Sequence, residues 1–134
     1  MDPTLAKQIA ETFVRFLETN EGQPGLFAAD CFCDFTSPRW REQVQGDRAV
    51  VDARRASHPV AGKVPRWSFA PTPTGLVIEL EETWRENGDD WYCREMFRLE
   101  VRDREIAELS IYCTGDWNTA RRAEHARMVK LLRP

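Results

Sequence analysis

Residues 76–101 read LVIELEETWRENGDDWYCREMFRLEV, and this stretch decides the fold. Taking every second residue puts Leu76, Ile78, Leu80, Glu82 and Trp84 on one face of a first strand, Leu76–Glu86. The same step puts Cys93, Glu95, Phe97, Leu99 and Val101 on one face of a second strand, Trp91–Val101. Between them, Asn87-Gly88 is the strongest hairpin signal in the chain, because a type I′ turn wants positive φ at both central residues. A two-residue loop sets Glu82 opposite Cys93 and diagonal to Glu95. A four-residue loop, Asn87–Asp90, sets Glu82 directly opposite Glu95. Both registers keep the two acids on one face.

Working outward, a third strand, Glu105–Cys113, sorts Ala107, Leu109, Ile111 and Cys113 onto the same side. The opposite faces carry Glu79, Glu81, Arg85, Arg94, Arg98, Glu100, Glu108, Ser110 and Tyr112, and read as solvated or engaged with a partner. Among the apolar residues, Glu82 and Glu95 stand out. A carboxylate in apolar surroundings costs several kcal/mol unless it is paired, hydrogen-bonded or protonated. Facing strand residues sit about 5 Å apart at Cβ and diagonal ones roughly 7 Å, so both acids ionising together is unfavourable. One of them is then expected to hold its proton near neutral pH, the property that general acid/base chemistry uses.

The 134 residues, 42% of them hydrophobic, suffice for one domain, residues 1–134, around a single core. A net charge of −3, with no basic stripe interleaved with aromatics, argues against a nucleic-acid partner. No run approaches membrane-spanning length, and Met1-Asp2-Pro3-Thr4 opens straight into an amphipathic helix, so the chain reads as cytoplasmic with no membrane partner. The cysteines, Cys31, Cys33, Cys93 and Cys113, form no CxxC pair. They read as buried reduced thiols rather than zinc ligands, and no metal is expected.

Helix one is expected over Pro3–Thr19, capped by Asp2 or Thr4, with Leu5, Ile9, Phe13, Phe16 and Leu17 as its apolar stripe. A short helical turn at Pro24–Ala29, a strand Asp30–Thr36 and a loop Ser37–Gln45 carrying Trp40 follow. Gly46-Asp47 then opens a helix that His58-Pro59 stops. Val64–Pro73 reads as an edge or irregular strand on account of its prolines. After Cys113, Asp116 or Asn118 can cap a last helix to about Leu131, whose stripe of Trp117, Ala120, Met128, Leu131 and Leu132 is expected to pack on the body. Helices first and a meander afterwards give α+β, with helices on one face of a curved sheet.

This order of elements resembles the nuclear transport factor 2-like cone fold, a cystatin-like α+β barrel with an added C-terminal helix. Phe97-Arg98-Leu99 followed by Ile106-Ala107-Glu108-Leu109 and Tyr112 resembles its SnoaL-like branch of polyketide cyclases and ketosteroid isomerases. The resemblance covers nearly the whole chain and implies a deep apolar pocket for a small hydrophobic ligand. The position of the isomerase's protonated oxyanion-hole aspartate falls on Glu95. Its general-base aspartate falls at about Phe35 and its tyrosine at about Phe13, and neither of these moves a proton. The Arg-x-Asp of limonene epoxide hydrolases is replaced by Glu-Leu-Glu-Glu, and the paired histidines of scytalone dehydratases have only His58 and His125 to match them.

The reading is therefore a cofactor-free isomerase, cyclase or hydrolase acting on a polyketide- or steroid-like molecule. Glu95 is its acid/base and Glu82 tunes or shares the proton. Phe13, Phe35, Ile78, Leu80, Phe97, Leu109 and Ile111 hold the substrate, with Trp40 and Trp84 as walls and His58 and Cys113 at the binding surface. The alternative is a noncatalytic ligand-binding or dimerisation module of the same fold. A homodimer fits both, through the outer face with Arg94, Arg98 and Tyr112.

Overall fold

The computed structural model describes residues 1–134. The elements run α1 (Pro3–Thr19), β1 (Phe27–Thr36), β2 (Arg41–Gln45), α2 (Asp47–Ser57), β3 (Lys63–Pro71), β4 (Gly75–Glu86), β5 (Asp89–Arg102), β6 (Glu105–Cys113) and α3 (Thr119–Met128). The strands make one six-stranded sheet in the order β2-β1-β6-β5-β4-β3. Neighbours are antiparallel except β1 and β6, which are parallel. The architecture is α+β as expected, but the sheet is curved rather than closed: β2 and β3 are free edges, not partners completing a barrel. No helix is long and apolar enough to cross a membrane.

The Asn87-Gly88 turn resolves the register. Both residues have positive φ, 53° and 78°, and Glu86 faces Asp89. Glu82 therefore lies opposite Cys93, and Leu80 opposite Glu95; the four-residue loop is not formed. Alternation holds through β4 and β5, where Leu76, Ile78, Leu80, Glu82, Cys93, Glu95, Phe97 and Leu99 are all buried. In β6 it shifts. An irregularity between Glu100 and Val101 changes the phase of pairing, so Ile106 is buried and Ala107, expected inside, is half-buried. Gly75 is the one position in β4 where the chains meet too closely for a side chain, since a Cβ there would lie 1.8 Å from the Leu99 carbonyl oxygen.

Helix α1 starts where expected. The Asp2 carboxylate accepts from the backbone N–H of Thr4 (2.7 Å) and Leu5 (3.3 Å), and Pro3 occupies the first turn. The helix buries Ala6, Ile9, Ala10, Phe13, Val14, Phe16 and Leu17, and Phe13 meets Phe97 of β5 edge-on at 5.0 Å between ring centroids. It ends at Asn20, which takes the left-handed conformation at φ 58°.

Three local expectations are corrected. Strand β1 begins at Phe27, because after the turn at Gly25 the residues Phe27 and Ala28 bury their side chains, so no helical turn extends to Ala29. Part of the Ser37–Gln45 loop is strand β2, an edge whose polar residues are exposed and whose Val44 alone is half-buried. Helix α3 buries nothing along its length. Its N-cap is Asn118, and Trp117 packs against Tyr92, but Met128, Leu131 and Leu132 lie exposed.

Candidate functional site

The concave side of the sheet and helices α1 and α2 enclose a mostly apolar cavity. Its walls are Phe13, Phe16 and Leu17 from α1; Val50, Ala53, Arg54 and Ser57 from α2; and His58. The sheet adds Cys33, Phe35, Glu42, Val44, Glu95, Phe97, Leu109 and Ile111. Glu95 is thus a buried acid, 4% exposed, facing an otherwise mostly apolar hollow.

Glu82, also 4% exposed, stands behind Glu95 and does not line the cavity. Its carboxylate is held by Arg54, with Nη2 donating to Oε1 at 2.5 Å and Nη1 to Oε2 at 3.1 Å. This is a two-pronged pair in which Arg54 and Glu82 keep only 10% and 5% of their side chains exposed. Arg54 completes its bonding by donating from Nη2 to the Leu17 carbonyl (2.9 Å) and from Nε to the Asn20 side-chain oxygen (3.2 Å). The guanidinium therefore joins α1, α2 and β4 at one point.

Glu95 and Glu82 share a hydrogen bond, and the two titrate as a pair. Burial, and then the bond to Glu82 and its negative charge, hold the Glu95 carboxyl well above the ordinary carboxylate range, with Arg54 opposing only in part. For Glu82, burial pushes upward, but the bond from Glu95 and the charge and bonds of Arg54 outweigh it and the group lies low. At neutral pH the arrangement is a neutral Glu95 donating to an ionised Glu82, itself neutralised by Arg54. The Cys93 thiol donates to Glu95 Oε1 at 3.4 Å. His58 packs edge-on against Trp84 at 4.9 Å, and burial, aided by the Arg54 charge, pulls its imidazole down to about 4, so it is neutral.

Of the residues expected to hold substrate, the cavity gathers Phe13, Phe35, His58, Phe97, Leu109 and Ile111. It leaves out Ile78 and Leu80, whose side chains are consumed by the core under α1. Trp84 is also outside the cavity wall, stacked on Trp91 across the hairpin. Trp40, 67% exposed, and Cys113 border a separate outer cleft with Asp116 and Trp117, which meets the cavity at Phe35, Ser57 and His58. Sequence reasoning missed Arg54. Its signal was the helical spacing, since Arg54 lies four residues from Val50, the buried residue of α2, and four from His58.

Cys93, Glu95 and Cys113 bring one donor atom each within 4.8 Å of one another. Two thiols and one carboxylate are one donor short of the four that a structural zinc site takes. Cys31 and Cys33 are pushed up by burial to about 12 and about 11, as suits thiols that serve as small apolar groups.

The curved six-stranded sheet packed on a long N-terminal helix matches the fold of NTF2-like proteins. Among solved structures, the chain is similar to an NTF2-like protein from Anabaena variabilis, at 18% identity and TM-score 0.72, covering 84% of this chain and 89% of that one. It is also similar to a provisionally assigned polyketide cyclase from Xanthomonas campestris, at 14% identity and TM-score 0.67, covering 84% and 92%. A provisionally assigned isomerase from Rhodopseudomonas palustris matches at 11% identity and TM-score 0.65, covering 84% and 91%. No family model and no curated protein matches the chain.

Proposed function

We propose that the protein is a cofactor-free enzyme of the isomerase or cyclase type, acting on a small, largely apolar molecule that carries a carbonyl or hydroxyl oxygen. One observation carries the reading: a proton-holding Glu95 opens onto an apolar cavity and is backed by an ionised Glu82 fixed to Arg54. In this reading Glu95 turns its O–H from Glu82 onto the substrate oxygen and protonates it, and the Glu95 carboxylate so formed takes a proton back from the substrate as the product forms. Glu82, behind Glu95 and held by Arg54, keeps Glu95 protonated between turnovers, and the aromatic wall of Phe13, Phe35 and Phe97 orients the substrate. The pair's net charge with Arg54 is zero before the proton moves, which suits a neutral substrate better than an ion. The names of two fold neighbours, a cyclase and an isomerase, support this class.

The test starts from the protein purified from its own host. Its small-molecule occupant is identified by mass spectrometry, and turnover of that compound and close analogues is measured with Glu95→Gln. The variant is expected to fold and to lose about 10²- to 10⁴-fold in rate. Unchanged turnover removes the mechanism. A second reading, a noncatalytic ligand carrier, is favoured by the fact that both acids already have protein partners. It is upheld if the occupant binds the wild type and Glu95→Gln equally and is never converted.

We propose further that the outer face of the sheet pairs two copies of the chain. Met96 and Tyr112 face each other across β5 and β6, 46% and 57% exposed, between the ion pairs Arg94–Glu79 and Arg98–Glu100.

A further inference from the structure

We propose that Asn20 is a positioning residue for the carboxyl pair, an inference that rests on the acid/base reading of the site. It stands at the end of α1, 8% exposed, far in sequence from Glu82 and Glu95. Its side-chain amide is used at both ends. Oδ1 accepts from Arg54 Nε at 3.2 Å, and Nδ2 donates to the His58 carbonyl at 2.6 Å. Arginine only donates and a carbonyl only accepts, so the orientation of the amide is dictated by its two partners.

A helix terminus by itself asks for less. The left-handed φ of 58° is met most cheaply by glycine, and the cap is closed by the Asn20 backbone N–H donating to the Phe16 carbonyl at 2.8 Å. The side chain does something else: it reaches across to α2 and fixes the Nε edge of the Arg54 guanidinium, holding the one nitrogen that bonds neither Glu82 nor Leu17. With that edge fixed, the two remaining nitrogens face Glu82 squarely. Asparagine combines tolerance of the left-handed conformation with a donor and an acceptor on one short side chain, and aspartate lacks the donor.

The consequence is read in the titration of the pair. The groups facing Glu82 and Glu95 are Arg54 and His58 at the C-terminal end of α2, Cys93 beside Glu95 in β5, Cys113 of β6, and Asp116 beyond β6. Only Arg54 carries positive charge at neutral pH, so loosening it makes ionisation of Glu82 harder.

The experiment is a carbon-13 NMR titration of the glutamate carboxyls, with Glu82 assigned by Glu82→Gln, in the wild type, Asn20→Gly and Arg55→Ala. Glycine keeps the left-handed turn, and a thermal melt verifies folding. In Asn20→Gly the Glu82 step moves to higher pH by about one unit, a tenfold change in proton affinity. Arg55 donates from Nε to the Asn20 backbone carbonyl at 3.0 Å and touches no part of the amide, so Arg55→Ala leaves that step in place. A folded Asn20→Gly with the wild-type titration overturns the proposal. So does rapid solvent exchange of the Arg54 Nε–H in the wild type, a measurement that requires no variant to fold. If instead the wild type shows two free glutamates, the acid/base reading itself fails, and that outcome is distinct from either.

Discussion

Replacing Arg54 with methionine is the most demanding perturbation that this structure allows. The substitution roughly keeps the length of the aliphatic stem while removing the bonds to Glu82, at 2.5 and 3.1 Å, and those to Leu17 and Asn20. An exposed ion pair would be worth about 0–1 kcal/mol. This one keeps 10% and 5% of its side chains exposed, so the relevant quantity is the cost of leaving Glu82 buried without its cation, about 3–5 kcal/mol. For a domain of this length that corresponds to roughly 10–20 °C in melting temperature.

The sign with pH follows. Glu82 has a depressed pKa in the folded state, so its contribution is complete above the ordinary carboxylate range and is lost as pH falls through its lower folded value. In Arg54→Met the acid is released by protonation, so the penalty at pH 7 shrinks near pH 4, where Glu82 and Glu95 are both neutral. Urea denaturation at the two pH values is the assay, with Arg54→Met/Glu82→Gln as the partner that removes the stranded charge and recovers most of the loss. A cost under about 1 kcal/mol at pH 7, or one equal at both pH values, refutes the reasoning.

His58 gives a second pH window. Its folded pKa of about 4 lies below the ordinary 6.5, so stability is complete above pH 6.5 and is lost progressively as pH falls toward 4, by about 3 kcal/mol in all. Denaturation curves for His58→Leu should lack that component, and identical pH dependence in the two proteins sinks the assignment. Gly75→Ala should cost about 1–3 kcal/mol or more by forcing β4 from β5, and a neutral substitution would mean that the Leu99 carbonyl is not where the register places it. Sedimentation should find a dimer that Tyr112→Glu dissociates; a wild-type monomer at all concentrations removes the outer-face pairing.

What the sequence determined by itself is the set of facts governed by local geometry. Period-two alternation assigns the faces of β4 and β5 because successive strand side chains must point oppositely. Asn87-Gly88 marks the turn because its residues tolerate positive φ, but the choice between a two- and a four-residue loop was open in the sequence and is made by the pairing of Glu86 with Asp89. Asp2, Pro3 and the apolar stripe likewise place α1 within its observed bounds. The burial of Glu82 and Glu95 was legible for the same reason. Strand β2 was not, since Arg41–Gln45 is a polar edge held by pairing to β1 rather than by its own pattern. Nor was the exposure of α3, whose stripe satisfies helical spacing but meets the sheet only through Trp117, leaving Met128, Leu131 and Leu132 exposed.

Only the tertiary structure decided what the two acids do. Their charge states depend on Arg54, 28 residues from Glu82, and on Asn20, a further 34 residues from Arg54 in the chain. On a mostly polar helix an arginine looks like any solvated cation. Packing α2 on β1 and β2 and bonding it to the end of α1 withdraws it from water and leaves Glu82 as its counter-charge. Electrostatic energy in a low-dielectric interior is set by distances through space, and sequence spacing encodes those distances only within a helix turn or across a tight hairpin.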